Sequence, residues 1–191
     1  MEYLGSVITG IYRDQLVDAT GQVSYDSGWN NNTIMDSFHV LLARLIKHED
    51  ALFKTGKRAL VMRFGEFDGS LPNPTTVSSS NEKLVNVYKN DKDDKVFELV
   101  EEPGDKNQLS VAYLNTNDSE QTNPVNRLQI TAILGPYQPK NAVCNLGEFA
   151  TYIRFTNGNG TSDDYIINHV RHPKISKAPT DTLIRQIRFT F

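Results

Sequence analysis

Residues 182–191 read TLIRQIRFTF and alternate apolar with polar side chains, apart from two exceptions, Ile184 and Arg185. A period of two is typical of a β-strand with one buried face, because successive side chains point to opposite sides of a sheet. The apolar side holds Leu183, Ile187, Phe189 and Phe191, and the polar side holds Gln186, Arg188 and Thr190. The stretch therefore predicts a strand with one face in a core and one face turned to solvent or to a partner.

The same alternation recurs upstream, in residues 125–134, 146–155 and 165–170. Two-sided strands of this kind belong to antiparallel sheets, since parallel strands covered by helices are apolar on both sides. Residues 59–64 predict one more strand. The last third of the chain is therefore expected to form an antiparallel sheet around which the rest is arranged.

Two turns predict further strand pairs. Pro103 and Gly104 separate residues 96–100 from residues 108–114, and this Pro-Gly pair predicts a hairpin. Residues 13–25 predict two short strands around a turn, with Gly21 at the position that needs a positive φ.

Residues 33–48 predict the main helix. Asn32 or Thr33 can cap its first turn. Apolar residues recur at helical spacing along one stripe, namely Ile34, Phe38, Leu41, Leu42 and Leu45. We expect this stripe to cover a face of the sheet, the alternatives being a partner-binding or membrane-surface helix. The predicted fold class is α+β, a mainly antiparallel β sheet or sandwich with one amphipathic helix. It forms a single domain over residues 1–191, with residues 1–30 as a candidate extended assembly arm.

Composition excludes several classes of protein. The 191 residues have a formal net charge of −3, which gives no general attraction to nucleic acid. Charged residues interrupt the N-terminal apolar stretch, so we expect neither a signal peptide nor a membrane span. The single cysteine, Cys144, excludes an intrachain disulfide. We expect synthesis in the cytoplasm, before the chain joins a larger assembly.

No spacing of residues indicates catalysis. The sequence has no glycine-rich phosphate loop, no His-Glu-x-x-His pair and no Gly-x-Ser-x-Gly turn. His169 and His172 are three apart, which in a strand sends their rings to opposite faces, and Pro173 is expected to end that strand. Asp91, Asp93 and Asp94 lack the glycine and glutamate of a calcium loop. We expect no catalytic residue, no cofactor and no metal, hence a protein that is not an enzyme.

Charge is distributed unevenly along the chain. Residues 91–105 are acidic, whereas the C-terminal segment is basic. Its basic residues are Arg171, His172, Lys174, Lys177, Arg185 and Arg188. Opposite patches favour head-to-tail or mixed assembly, because complementary potentials orient partners, and two separate solvated faces are the alternative. The candidate interface residues are Glu148, Arg171, Arg185 and Arg188.

Three motifs resemble a known family. Asn123-Pro124, LQITAILG at 128–135 and NLGEFA at 145–150 follow one another in an order similar to the N-terminal domain of phage tail-collar and tail-fibre proteins. Ala150 stands where that family usually has glycine. The resemblance implies a structural subunit of a phage tail or of a phage tail-like contractile injection system. Such a subunit would lie at the baseplate or collar region, as a homo-oligomer in contact with fibre or other baseplate proteins.

Two other functions remain open from the sequence. The first is a soluble β-rich module that binds carbohydrate or a small ligand, for which Trp29, Tyr137 or Tyr152 would supply a stacking surface. The second is a hydrolase or transferase with a dispersed site.

Overall fold

The computed structural model describes residues 8–38, 41–42, 57–70, 84–91, 93–101, 108–156 and 158–191. These residues form mainly antiparallel β structure, as the sequence predicts. The strands are β1 (Thr9–Val17), β2 (Val23–Asp26), β3 (Asn30–Asn31), β4 (Thr33–Ile34), β5 (Lys57–Glu66), β6 (Glu98–Val100), β7 (Leu109–Leu114), β8 (Glu120–Gln121), β9 (Arg127–Leu134), β10 (Cys144–Thr156), β11 (Ser162–Lys177) and β12 (Thr182–Thr190).

The strands form two antiparallel sheets. The seven-stranded sheet has the order β2-β1-β12-β9-β7-β8, with β3 also paired to β1, and the five-stranded sheet has the order β4-β11-β10-β5-β6. Apolar side chains from both sheets meet in one core, where the rings of Tyr12 and Phe149 lie 5.4 Å apart edge to face. The molecule is therefore a β-sandwich.

The four alternating segments are confirmed as β9, β10, β11 and β12. In β12 burial alternates strictly from Thr182 to Phe189, as a period of two requires. Residues 59–64 lie in β5, which is also confirmed. The first hairpin forms as predicted, because β1 pairs with β2 and Gly21 has a φ of 86°.

The predicted hairpin between residues 96–100 and 108–114 is wrong. β6 pairs with β5 in the five-stranded sheet, whereas β7 pairs with β9 in the seven-stranded sheet. Leu99 and Leu109 are both buried on these separate partners. Tertiary burial thus decides the pairing here, and the Pro-Gly turn itself lies outside the described residues.

The predicted end of the strand at Pro173 is also wrong, since β11 continues to Lys177. The register between β10 and β11 shifts where Leu146 pairs with Ile175 and Glu148 pairs with Arg171. Pro173 lies within this bulge, where no ladder hydrogen bond is needed from its nitrogen.

The predicted helix starts later than expected. Thr33 and Ile34 form β4 and pair with His169 and Asn168, which satisfies backbone groups that a helix would use. Helical residues are 36–38 and 41–42, and the rest of the predicted helix lies outside the described residues. Phe38 and Leu41 are buried in the core, as the stripe predicts.

The assembly arm predicted over residues 1–30 is wrong for the part that the structure describes. β1 pairs with β12 from Thr9 to Val17 and also carries β2 and β3, so these strands belong to the sandwich. Residues 1–7 lie outside the described residues.

Candidate interface

The outer face of the seven-stranded sheet is the surface that turns away from the core. We define it by Arg13, Arg127, Thr131, Gln186 and Arg188, which are half-buried and alternate with core residues along β1, β9 and β12. The register aligns them, because Gln186 pairs with both Arg13 and Thr131. This alternation makes one continuous face from three strands.

Arg188 makes three side-chain contacts on the outer face. Its guanidinium stacks 4.1 Å from the ring centroid of Trp29. It also donates from Nε to Gln129 Oε1 at 2.9 Å and from Nη1 to Asp118 Oδ2 at 2.7 Å. Arg188 is one of the four predicted interface residues, and it lies on this outer face of the seven-stranded sheet.

Two carboxylates pair with the three arginines of this face. Asp118 also accepts from Arg127 Nη2 at 2.5 Å. Asp26 accepts from Arg13, with Nε donating to Oδ1 at 2.9 Å, and the hydrogen bond from Arg13 holds the pKa of Asp26 well below its usual value. Ion pairs within the chain therefore hold the long side chains of the outer face.

The prediction that Arg185 lies at an interface is wrong, because its side chain is fully buried between the sheets. Arg185 donates to both carboxylate oxygens of Asp14, at 2.6 and 2.9 Å. Its guanidinium lies 3.8 Å from the ring centroid of Phe149. Arg185 is thus an exception to the alternation of β12 because it replaces an apolar residue on the inward side.

His172 completes this buried cluster. Arg185 Nη2 donates to His172 Nε2 at 2.9 Å, so His172 Nδ1 carries the proton and donates to Pro173 O at 2.8 Å. Burial and the neighbouring guanidinium lower the pKa of His172 to about 4. Burial also raises the pKa of Tyr12, which packs beside His172, to about 12. The cluster therefore holds one ion pair and two neutral rings.

Glu148, another predicted interface residue, lies on the side of the five-stranded sheet that faces away from the core, but it is buried there. Its Oε2 accepts from His169 Nε2 at 3.0 Å, and its Oε1 accepts from the Val85 N–H at 2.6 Å. Burial alone would raise the pKa of Glu148, but these hydrogen bonds lower it below the usual value. Arg171 is mostly buried beside it, with Nε 3.6 Å from Oε2. Glu148 thus ties the segment around Val85 to the sheet.

The two histidines point to opposite faces of β11, as their odd separation predicts. His169 contacts Glu148 on the outward side, and His172 contacts Arg185 on the core side. Both are buried, so neither belongs to a surface patch.

Sequence reasoning missed a cross-strand ion network on the five-stranded sheet. Arg63 and Arg154 each donate to both Glu98 and Asp164, and the distances include 3.0 Å for Arg63 Nη2 to Glu98 and 2.7 Å for Arg154 Nε to Asp164. The four residues come from four strands, whose order no local pattern specifies. Asp14 was missed too, although its inward position between Tyr12 and Leu16 is a signal that matches Arg185.

The predicted charge patches are weaker in the structure than in the sequence. In the acidic segment Lys89 pairs with Asp94, and Lys95 pairs with Asp93. In the basic segment Lys177 and Arg185 are buried. Pairing within the chain and burial therefore reduce the charge that both segments expose.

The stacking prediction is wrong for Tyr152, which is buried under Arg63 at 4.6 Å. Trp29 is 37% exposed, with Arg188 on its ring, and Tyr137 is 58% exposed in a turn where its φ is 62°. A cleft of about 640 Å³ lies elsewhere, at Val111, Tyr113 and Leu128.

Other features concern metals and membranes. Within the described ranges, no group of three or more His, Cys, Asp or Glu side chains could hold a metal ion. No helix in the described part of the chain combines the length and apolar character needed to cross a bilayer.

Comparison with known proteins does not assign the chain to a family. No family model matches the chain, and searches of curated proteins and of solved structures find no significant match.

Proposed function

We propose that this chain is a structural subunit of a phage tail or of a phage tail-like contractile injection system. Its place would be the baseplate or collar region, where it links the tail to fibres or to other baseplate proteins. The chain would be made in the cytoplasm and then incorporated into the particle as a homo-oligomer.

The observation that carries this proposal is the outer face of the seven-stranded sheet. Its three arginines pair with Asp26 and Asp118, and Arg188 also contacts Trp29 and Gln129. Ordering long side chains at an interface costs free energy, and here that cost is already met within the chain. A broad, pre-ordered face suits a large permanent protein contact better than it suits a small ligand, which needs a concave site.

The sequence motifs also support the proposal. Asn123-Pro124 comes just before β9, and the NLGEFA motif lies in β10, which a turn joins to β11. This strand, turn and strand order is what the resemblance to tail-collar and tail-fibre domains implies for these residues.

Incorporation into particles tests the proposal. Thr131→Arg puts a bulky cation at the centre of the outer face, and we expect it to lower the amount of this chain in purified particles at least tenfold. Mass spectrometry of particles from the source organism measures that amount, and circular dichroism checks that the variant folds. Ser176→Arg is the matched control, because Ser176 is exposed on β11 in the other sheet. Absence of the wild-type chain from purified particles would refute the proposal.

A further inference from the structure

β7 is the last long strand of the seven-stranded sheet, and its outer edge is partly open. β8 pairs only with Tyr113 and Leu114. Among the described residues, no strand pairs with residues 109–112 on the side away from β9. An open edge presents backbone groups that another strand can bind.

The direction of these backbone groups follows from one hydrogen bond. Gln108 O accepts from Ile133 N at 2.7 Å, so the backbone of Gln108 faces β9. In an antiparallel ladder the direction alternates with each residue, so the N–H and C=O groups of Leu109 and Val111 face away from β9. Tyr113 is the next residue in this series, and it pairs with Gln121 of β8. The open edge thus offers the groups of Leu109 and Val111.

The sequence of this strand lacks the residues that usually protect an edge against pairing. Residues 109–114 read LSVAYL and contain neither proline nor a charged side chain. By contrast, the β11 edge carries Pro173 and Lys174 in its bulge. Soluble proteins normally guard open edges with such residues. Val111 is also 38% exposed beside the cleft of about 640 Å³, so an apolar side chain remains to be covered.

We propose that β7 pairs antiparallel with β7 of a second copy of this chain, around a two-fold axis that sets Ser110 opposite the partner's Ser110. Leu109 then lies opposite the partner's Val111, and Val111 opposite the partner's Leu109. Every open backbone group of residues 109–112 finds a partner in this register, and β8 stays in place. An edge without charged side chains does not repel its own copy, and the two-fold register pairs its open groups with one another, so we assign a second copy as the occupant.

Other registers fit less well. Setting Val111 opposite the partner's Val111 would bring Leu109 opposite the partner's Tyr113, whose edge β8 already occupies. If the register between the two copies shifted by one residue, the apolar side chains of one β7 would lie on the same face as the polar side chains of the other. The proposed pairing joins two sandwiches through one continuous sheet, and it holds whether or not the chain belongs to a tail particle.

A cysteine cross-link tests the register. Ser110 and the partner's Ser110 would form a non-hydrogen-bonded pair with Cα atoms about 4.5 Å apart, within the range of a disulfide. In a Cys144→Ala background, we expect Ser110→Cys to give a disulfide-linked dimer under mild oxidation. The matched control Ser176→Cys should stay monomeric on a denaturing gel. If the Ser110→Cys variant is a dimer in solution but forms no disulfide under oxidation, the contact lies elsewhere and the proposal is overturned.

Light scattering after size exclusion tests the association itself. We expect a dimer of the wild-type chain and at least a tenfold weaker dimer for Val111→Lys, whose exposed position permits folding. Thr122→Lys is the control for added charge near the cleft. Thermal unfolding shows whether each variant folds. A wild-type chain that stays monomeric at about 100 μM, or a Val111→Lys dimer of unchanged affinity, would contradict the pairing.

Discussion

Arg185 shows how one residue can connect both sheets of the sandwich. It lies on β12 of the seven-stranded sheet and stacks on Phe149 of the five-stranded sheet, while Asp14 on β1 balances its charge. A buried pair of this kind adds little net stability compared with apolar residues, but loss of one partner leaves an uncompensated charge. Arg185 and Asp14 therefore constrain which strands can be neighbours.

Asp14→Asn is expected to lower the free energy of unfolding by about 3 to 5 kcal/mol, because the Arg185 guanidinium stays buried without its counter-charge. Asp14→Leu combined with Arg185→Met should be less destabilised than Asp14→Asn. Urea denaturation of the three variants measures these values. Equal losses for the single and the double variant would show that charge compensation is not what Asp14 supplies.

His172 is expected to make stability depend on pH. Its pKa is about 4 in the folded chain, against 6.5 for the unfolded value, because it is buried beside Arg185, with Asp14 and Glu148 as the nearby carboxylates. Between these values the unfolded chain binds a proton that the folded chain does not bind. The contribution of His172 is therefore present above pH 6.5 and is lost as pH falls through this window.

The expected loss from His172 is about 2 kcal/mol between pH 7 and pH 5. His172→Gln keeps an acceptor for Arg185 and removes the titration, so its unfolding free energy should change less over this range. Urea denaturation at both pH values gives the comparison. An identical decrease in the wild type and in His172→Gln would assign the pH dependence to other groups.

At the scale of the element, local pattern predicts strands better than it predicts their neighbours. The period of two in residues 182–191 and 125–134 identifies β12 and β9, because burial of one face follows directly from alternation. The pairing of β6 with β5 and of β7 with β9 depends on contacts between residues that are distant in sequence. The Pro-Gly pair predicts a hairpin between β6 and β7 instead, and this prediction is wrong.

The local pattern likewise predicts the positions of some residues of the candidate site but not of others. Alternation predicts the outward position of Arg188, because this residue lies on the polar side of β12. For Glu148 and Arg185 the sequence alone favours exposed positions, because charged side chains are usually exposed. Their burial depends on partners that are distant in sequence, namely Val85 and His169 for Glu148, and Asp14 for Arg185.

Gly147 lies in the bulge between β10 and β11, where the backbone of Phe67 approaches it closely. A Cβ atom on Gly147 would lie 2.3 Å from the Cα of Phe67, whose N–H donates to Asn145 O at 2.7 Å. Gly147→Ala is therefore expected to cost about 1 to 3 kcal/mol, since backbone must move. Gly158→Ala is the control, because nothing lies within 4 Å of its Cβ position. Denaturation curves that coincide for the two variants would refute this close approach.

At the scale of the whole molecule, the first three strands complete the sandwich. β1 contributes Tyr12, Asp14 and Leu16 to the interior, and β12 would become an edge strand without it. Arg185 would also lose its counter-charge. We therefore expect the fold to require the N-terminal strands.

Fragment complementation tests this requirement. A chain of residues 32–191 is expected to lose cooperative unfolding and near-ultraviolet circular dichroism, since Arg185 and the edge of β12 are exposed. A peptide of residues 8–31 should restore both by adding β1, β2 and β3, and the same peptide with Asp14→Asn should bind at least tenfold more weakly. Titration followed by circular dichroism measures the two affinities. Cooperative unfolding of residues 32–191 alone would mean that the sandwich forms without β1. Equal affinity of the two peptides would mean that binding of β1 does not depend on the Asp14 ion pair.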